Sequence, residues 1–283
     1  MTGKPVVAGT DGSEESLLAV EWAGREAALH HLPLLLVSAL APLPWITPGG
    51  SGEEVTKVAR RRLERALAAA TDRAAGVAPG LRLDTEVVTG PPARALAELA
   101  REASLLVVGS RGAGGFAAMI LGSVSRYAAT HAACPVVVVR EETMAVHREI
   151  VVGVRDLDPL GPPAALDFAF REAALRNARL VAVHAWYWSV PASRLDAPEV
   201  PADAARQLTG ALARYQAAYP GVEVRQDVVN AHPGRVLAGA SARADLVVLG
   251  RHGHPGEEGR GVSSVTHAVL SHAHGPVAVV SGS

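Results

Sequence analysis

Leu105-Leu-Val-Val-Gly-Ser-Arg-Gly112, followed nine residues later by Gly122-Ser123, is the stretch that decides the fold of this chain. A short apolar run that breaks at a glycine reads as a buried strand. Val124-Ser-Arg-Tyr-Ala-Ala-Thr-His131, after the last glycine, reads as a helix. Strand, glycine-dotted loop and helix start together suit a phosphate chain. Glycine lets backbone N–H groups approach an anion, and the helix N-terminus adds unpaired donors and positive partial charge. The spacing is neither G-x-G-x-x-G nor G-x-x-x-x-G-K-[ST], so those two phosphate motifs are excluded.

The stretch occurs twice. Leu105–Gly112 returns as Leu246-Val-Val-Leu-Gly-Arg-His-Gly253, and Pro135-Val-Val-Val-Val139 as Pro276-Val-Ala-Val-Val280. Glu21-Trp-Ala-Gly-Arg-Glu-Ala-Ala-Leu29 returns as Asp167-Phe-Ala-Phe-Arg-Glu-Ala-Ala-Leu175, and Val87-Val-Thr-Gly-Pro-Pro-Ala-Arg94 as Val228-Val-Asn-Ala-His-Pro-Gly-Arg235. A repeat of about 141 to 146 residues is too long for a solenoid unit and the right size for a domain. The chain therefore reads as two like domains, 1–141 and 148–283, joined by a linker over residues 141–148.

Each half runs in the same order. Val6–Gly9 is the first strand, and Ser13 caps a helix through His30 whose Glu14 and Glu15 complement its dipole. Leu34–Ala39 is the second strand, followed by a Pro/Gly-rich loop from Pro42 to Gly52 and a long helix from Glu53 to Ala75. Leu83–Val88, a helix over Pro92–Glu102, Leu105–Val108, a helix over Ser123–Ala132 and Val136–Val139 complete the half, and Ile150 to Val280 repeats it. Strands alternating with helices imply a parallel sheet covered on both faces, with right-handed crossovers.

Composition fits this division. The 283 residues are 49% hydrophobic but only 4% aromatic, which predicts cores of Ala, Val and Leu. A formal net charge of -1 argues against a nucleic-acid partner held by bulk electrostatics. Cys134 is the one cysteine, which excludes an intramolecular disulfide framework; its place before an apolar strand predicts burial. No leader pattern is visible, and the apolar stretch from Leu32 to Ile46 is broken by Pro33, Pro42 and Pro44. It falls short of the roughly 20 residues of a spanning helix. The expectation is a soluble cytoplasmic protein with no membrane partner.

The pattern G-x2-G-x9-G-[ST] after a buried strand resembles the nucleotide loop of the universal stress protein family, in its ATP-binding branch. Val6-Val-Ala-Gly-Thr-Asp-Gly-Ser13 resembles that family's first strand and Asp turn, and Cys134-Pro-Val-Val-Val-Val139 its last strand. The resemblance covers both halves. It implies two tandem five-stranded, Rossmann-like α/β domains of the adenine nucleotide alpha hydrolase type, with strand order 3-2-1-4-5. It also implies their packing as a pseudo-twofold pair, which would keep the apolar fifth strands from standing as open edges. Ligands of such sheets bind beyond the strand carboxyl ends where the winding reverses.

Carried over residue by residue, the resemblance places Gly9, Thr10 and Asp11 against the adenosine, and Ala39 by the adenine. Val108, Gly109 and Gly112 would line the ribose and first phosphate, and Gly122, Ser123, Val124 and Ser125 would present N–H groups and hydroxyls to the outer phosphates. The implied ligand is ATP or another adenine nucleotide, with Mg2+ left open. In the second half, Gly250 and Gly253 keep the first glycines, but Ser263 stands where the third belongs, followed by Ser264, Val265 and Thr266. Arg155 takes the place of Asp11, with Asp156 one position on. Glu257 and Glu258 in the loop oppose phosphate, and Arg251 and Arg260 offset them.

His252, His254, His267, His272 and His274 cluster late, but no cysteine or carboxylate completes a clear ligand set, so surface histidine is the favoured reading. Trp186, Tyr187 and Trp188 suit either base stacking or packing at an interface. Three functional classes remain: an ATP-binding regulator acting on an unknown protein partner, an enzyme such as a slow ATPase or nucleotidyl transferase, and a scaffold without ligand. No Walker lysine, ordered Ser-His-Asp set or carboxylate cluster supports the enzyme. A homodimer beyond the tandem pair is left open.

Overall fold

The computed structural model describes residues 3–41, 52–112, 121–140, 146–155, 163–186, 199–251 and 262–282, and for residues 52, 53, 163, 186 and 199–201 the backbone alone. All of the expected Pro42–Gly52 loop except Gly52, which instead begins a helix, and most of the linker, residues 141–145, lie outside this set. So do Asp156, Tyr187, Trp188, His252, Gly253, His254, Glu257, Glu258 and Arg260. The chain divides into two compact units, Met1–Glu141 and Glu142–Ser283.

The first unit runs β1 (Val6–Gly9), α1 (Glu14–Leu29), β2 (Leu34–Leu40), α2 (Gly52–Val77), β3 (Leu83–Thr89), α3 (Pro92–Leu99), β4 (Leu105–Gly109), α4 (Ser123–His131) and β5 (Val136–Val139). Every pairing is parallel, and the order is β3-β2-β1-β4-β5. Val6 stands between Leu34 and Leu105, which fixes the register of the centre. The helix expected over Pro92–Glu102 instead ends at Leu99 and closes with a 3-10 turn over Ala100–Glu102.

The second unit repeats the plan as β6 (Glu149–Gly153), α5 (Pro163–Arg176), β7 (Arg179–Trp186), α6 (Glu199–Ala218), β8 (Val224–Asn230), α7 (Pro233–Ala240), β9 (Leu246–Gly250), α8 (Ser264–His272) and β10 (Val277–Val280). Its order is β8-β7-β6-β9-β10, again all parallel, with Ile150 between Leu180 and Leu246. Among the described residues no helix is long and apolar enough to cross a membrane.

Strands covered on both faces read as unbroken apolar runs, and here β1, β4 and β5 are buried along their whole length. α1 meets the sheet through Ala19, Ala23 and Ala27, all fully buried. Small residues bring its backbone close: a Cβ on Gly24 would stand 3.2 Å from Val77 of α2. The described buried core of the first unit is aliphatic, with Cys134 inside it as expected. The second unit departs from the low-aromatic expectation. Phe170 of α5 stacks on Tyr215 of α6 at 5.3 Å between ring centres and lies 5.8 Å from Tyr219. Three of the eleven aromatic side chains of the sequence thus meet where α5 faces the end of α6, adding ring packing to the aliphatic contacts there.

Candidate functional site

In the first unit β1 and β4 are neighbours, and the chain winds away from them in opposite directions. Crossovers on both sides leave a crevice beyond their carboxyl ends. A cavity of about 270 Å3 occupies it. Gly9, Thr10 and Asp11 enter it from the end of β1, and Ala39 from β2. Val108 and Gly109 enter from β4, Gly112 from the loop, and Gly122, Ser123, Val124 and Ser125 from the start of α4. All eleven first-half residues singled out by sequence are therefore brought to one place. Ser16, Val37, Leu63, Pro92, Leu96 and Arg111 complete the wall. Leu63 and Leu96 come from α2 and α3, and their helical periodicity signals only a buried face. Arg111 lies inside the glycine motif itself, so its position there was the one signal for it.

The turn after β1 is tied down by short polar side chains. Gly12 has φ +82°, a conformation that favours glycine. Asp11 Oδ1 accepts from the Ser13 N–H at 3.0 Å and from Ser13 Oγ at 2.6 Å, an Asx turn that starts α1. Thr10 Oγ1 accepts from the Gly12 N–H at 3.2 Å and exchanges a hydrogen bond with Ser16 Oγ at 3.0 Å. Ser38 Oγ donates to the Thr10 carbonyl at 2.7 Å. These bonds tie the end of β1, the turn after it and the start of α1 together beside the cavity.

The glycines have unequal reasons for being there. A Cβ on Gly109 would stand 2.7 Å from the Glu15 carbonyl oxygen and 2.9 Å from its carbon, so this glycine admits the first turn of α1 against β4. A Cβ on Gly112 would run into the Asp11 carboxylate. Gly122 is extended, with φ -69°, and its N–H donates to the Ser110 carbonyl at 2.7 Å. That N–H is directed back at the loop, not outward as the sequence reading had it. The Ser125 hydroxyl likewise donates inward, to the Gly109 carbonyl at 2.6 Å. What the start of α4 presents is the first-turn backbone: Gly122 is its N-cap and no side chain caps it.

The second unit keeps the frame and changes the chemistry. In the β6–β9 register Gly153 matches Gly9 and Arg155 matches Asp11, while Val154 replaces Thr10. His184 Nδ1 lies 2.9 Å from the Val154 carbonyl, where the first unit uses Ser38. Gly250 ends β9, and Ser263 is the N-cap of α8 with Ser264 and Val265 in the first turn. Ser263 Oγ accepts from the Thr266 N–H at 3.1 Å, and Thr266 Oγ1 donates to the Gly250 carbonyl at 3.3 Å. The tie from strand end to helix survives, but the helix caps itself. His267, His272 and His274 are exposed.

Residues 3–140 and 147–281 each match the model of the universal stress protein family. A universal stress protein of Mycobacterium tuberculosis is 36% identical over 287 residues, covering 97% of this chain and 96% of its own length. A solved universal stress protein from Archaeoglobus fulgidus superposes over 99% of this chain and 97% of its own, with a TM-score of 0.70 at 19% identity, a likeness of fold. A universal stress protein solved in complex with cAMP is 34% identical, covers 49% of this chain and 98% of its own, and has a TM-score of 0.40.

Proposed function

This chain belongs to the universal stress protein family, and from that premise we propose that its first unit binds ATP, or another adenine nucleotide, as a regulatory ligand in the crevice between β1 and β4. The observation that carries the reading is the open start of α4. A helix whose N-cap is glycine leaves its first-turn N–H groups for an anion, and here the residues that carry them, Ser123, Val124 and Ser125, line the cavity. The nucleoside end falls to Gly9, Thr10, Asp11 and Ala39, with the Asp11 carboxylate as hydroxyl acceptor. Val108, Gly109 and Gly112 follow the ribose and first phosphate, and Ser123, Val124 and Ser125 meet the outer phosphates.

The second unit differs where it matters for this ligand. Arg155 replaces the acidic acceptor, and Ser263 occupies a donor that phosphate would need. The expected stoichiometry is one nucleotide per chain. The role is regulatory. Apart from Asp11, assigned here to the nucleoside end, the described cavity wall offers no carboxylate to serve as a base beside the outer phosphates. Nucleotide binding would act by favouring one conformation recognised by a protein partner.

Thermal unfolding tests the reading. A ligand that binds only the native state stabilises it by about 2.7 kcal/mol at a hundred times its dissociation constant. Millimolar ATP should raise the melting temperature more than GTP, whose base edge differs where Ala39 offers backbone groups. Calorimetry should give one site. No shift with any adenine nucleotide, with or without Mg2+, would remove the proposal.

A further inference from the structure

Of the described residues that line the cavity, Arg111 is the one cation. Its guanidinium Nη2 lies 3.3 Å from Glu15 Oε1, on the first turn of α1, and both side chains are partly exposed, at 44% and 31%. Its backbone is close to the helix start: a Cβ on Gly122 would lie 3.4 Å from the Arg111 Cα. The arginine therefore belongs to the loop between the strand end and the uncapped turn of α4, while its charge is directed to a carboxylate. We propose that Arg111 is the specificity residue of this site for phosphate number, held on Glu15 when the site is empty and taken over by the β- or γ-phosphate of a polyphosphate.

Three physical points support this. An ion pair this exposed is screened by water and weakly held, so exchanging its partner costs little. A terminal phosphate carries more charge than one carboxylate and matches the planar guanidinium fork, a geometry an ammonium lacks. Asp11 lines the cavity and Glu15 pairs with the cavity-lining Arg111, so a polyphosphate brought beside these carboxylates needs a compensating cation, whereas uncharged adenosine does not. Arg111 thus separates ATP and ADP from AMP and adenosine, which share all contacts deeper in the crevice. The inference rests on the nucleotide reading of the same cavity.

Calorimetry with ATP, ADP, AMP and adenosine on the full chain tests it, with Arg111→Ala, Arg111→Lys and Glu15→Gln beside the wild type. Arg111→Ala should weaken ATP by at least about tenfold, the weight of one charge-assisted hydrogen bond, and leave adenosine nearly unchanged. Arg111→Lys should recover part of the loss. Glu15→Gln should strengthen ATP, because the competing carboxylate is gone. If Arg111→Ala weakens ATP and adenosine equally, or neither, or if Glu15→Gln weakens ATP as much as the arginine variants do, the proposal is overturned while nucleotide binding stands. Binding of none of the four ligands by the wild type would overturn both. Should Arg111→Ala fail to fold, the ATP-to-adenosine ratio of Arg111→Lys decides.

Discussion

Gly122→Ser turns the first unit's helix start into that of the second, and the two readouts should part company. The new hydroxyl would accept from the Ser125 N–H, as Ser263 accepts from Thr266 at 3.1 Å. Relative to glycine, a serine N-cap stabilises by only a few tenths of a kcal/mol. Against this, the added Cβ would sit 3.2 Å from the Ser110 carbonyl oxygen and 3.4 Å from the Arg111 Cα, so the loop must yield by a few tenths of an ångström. Because φ is -69°, the backbone itself accepts a side chain without strain. The net change in stability should stay within about 0.5 kcal/mol, readable from a urea midpoint. Binding should suffer far more. A hydrogen bond to a charged group is worth about 1.5–3 kcal/mol, so losing one donor to the cap predicts ATP affinity lower by roughly 10- to 100-fold. Gly122→Ala supplies the same Cβ without the hydroxyl and should lie much nearer the wild type. Calorimetry on the three proteins settles the matter. If Gly122→Ser binds ATP as the wild type does, the open turn of α4 is not the phosphate seat. If alanine and serine weaken binding equally, the effect is crowding and the capping argument fails.

Two further outcomes follow from packing and burial. Gly109→Ala pushes a methyl group into the backbone of Glu15, which cannot rotate away, so it should cost about 1–3 kcal/mol of stability in chemical denaturation even without ligand; an unchanged midpoint would contradict the close approach of α1. Burial raises the pKa of the Tyr215 phenol, with the Arg214 hydrogen bond at 2.5 Å opposing it and the charge of Asp167 adding to it. Since the fold favours the protonated phenol, stability is intact below the ordinary tyrosine pKa of about 10 and is lost as pH rises through the folded value. Tyr215→Phe should therefore show a shallower loss of stability between pH 9 and pH 11.5, about the accessible alkaline range; an identical alkaline limb in both proteins would refute it.

How much of this was legible beforehand depends on where the determining contacts lie in the chain. The strands were, because Leu105–Val108 and Val136–Val139 are buried on both faces and so carry no polar interruption. The repeat was legible for the same reason, and with it the shared order of elements. The glycine pattern led to residues that line one crevice. It gave no means of telling that Gly109 is there for α1, since Glu15 lies far away in sequence and the clash exists only after folding. Nor did composition show that the Ser125 hydroxyl turns inward, or that Arg111 and Glu15 face each other. Leu63 and Leu96 belong to helices whose apolar spacing says that a face is covered, not what it covers. The stacking of Phe170 on Tyr215 was hidden for the same reason: each ring is an ordinary core residue until two helices are placed side by side.

The hydroxyl tie from strand end to helix has a consequence for how a duplicated domain can drift. Ser125 to the Gly109 carbonyl and Thr266 to the Gly250 carbonyl anchor α4 and α8 by the same device, one helical turn in from the residue that decides whether the helix start is open or closed. The anchor and the proposed ligand-recognition position thus lie three residues apart. A substitution at the cap position, Gly122 in one unit and Ser263 in the other, would open or close the helix start while the anchor keeps the helix in place. On the proposed reading, one copy could lose, regain or alter its ligand without a period in which the domain cannot fold.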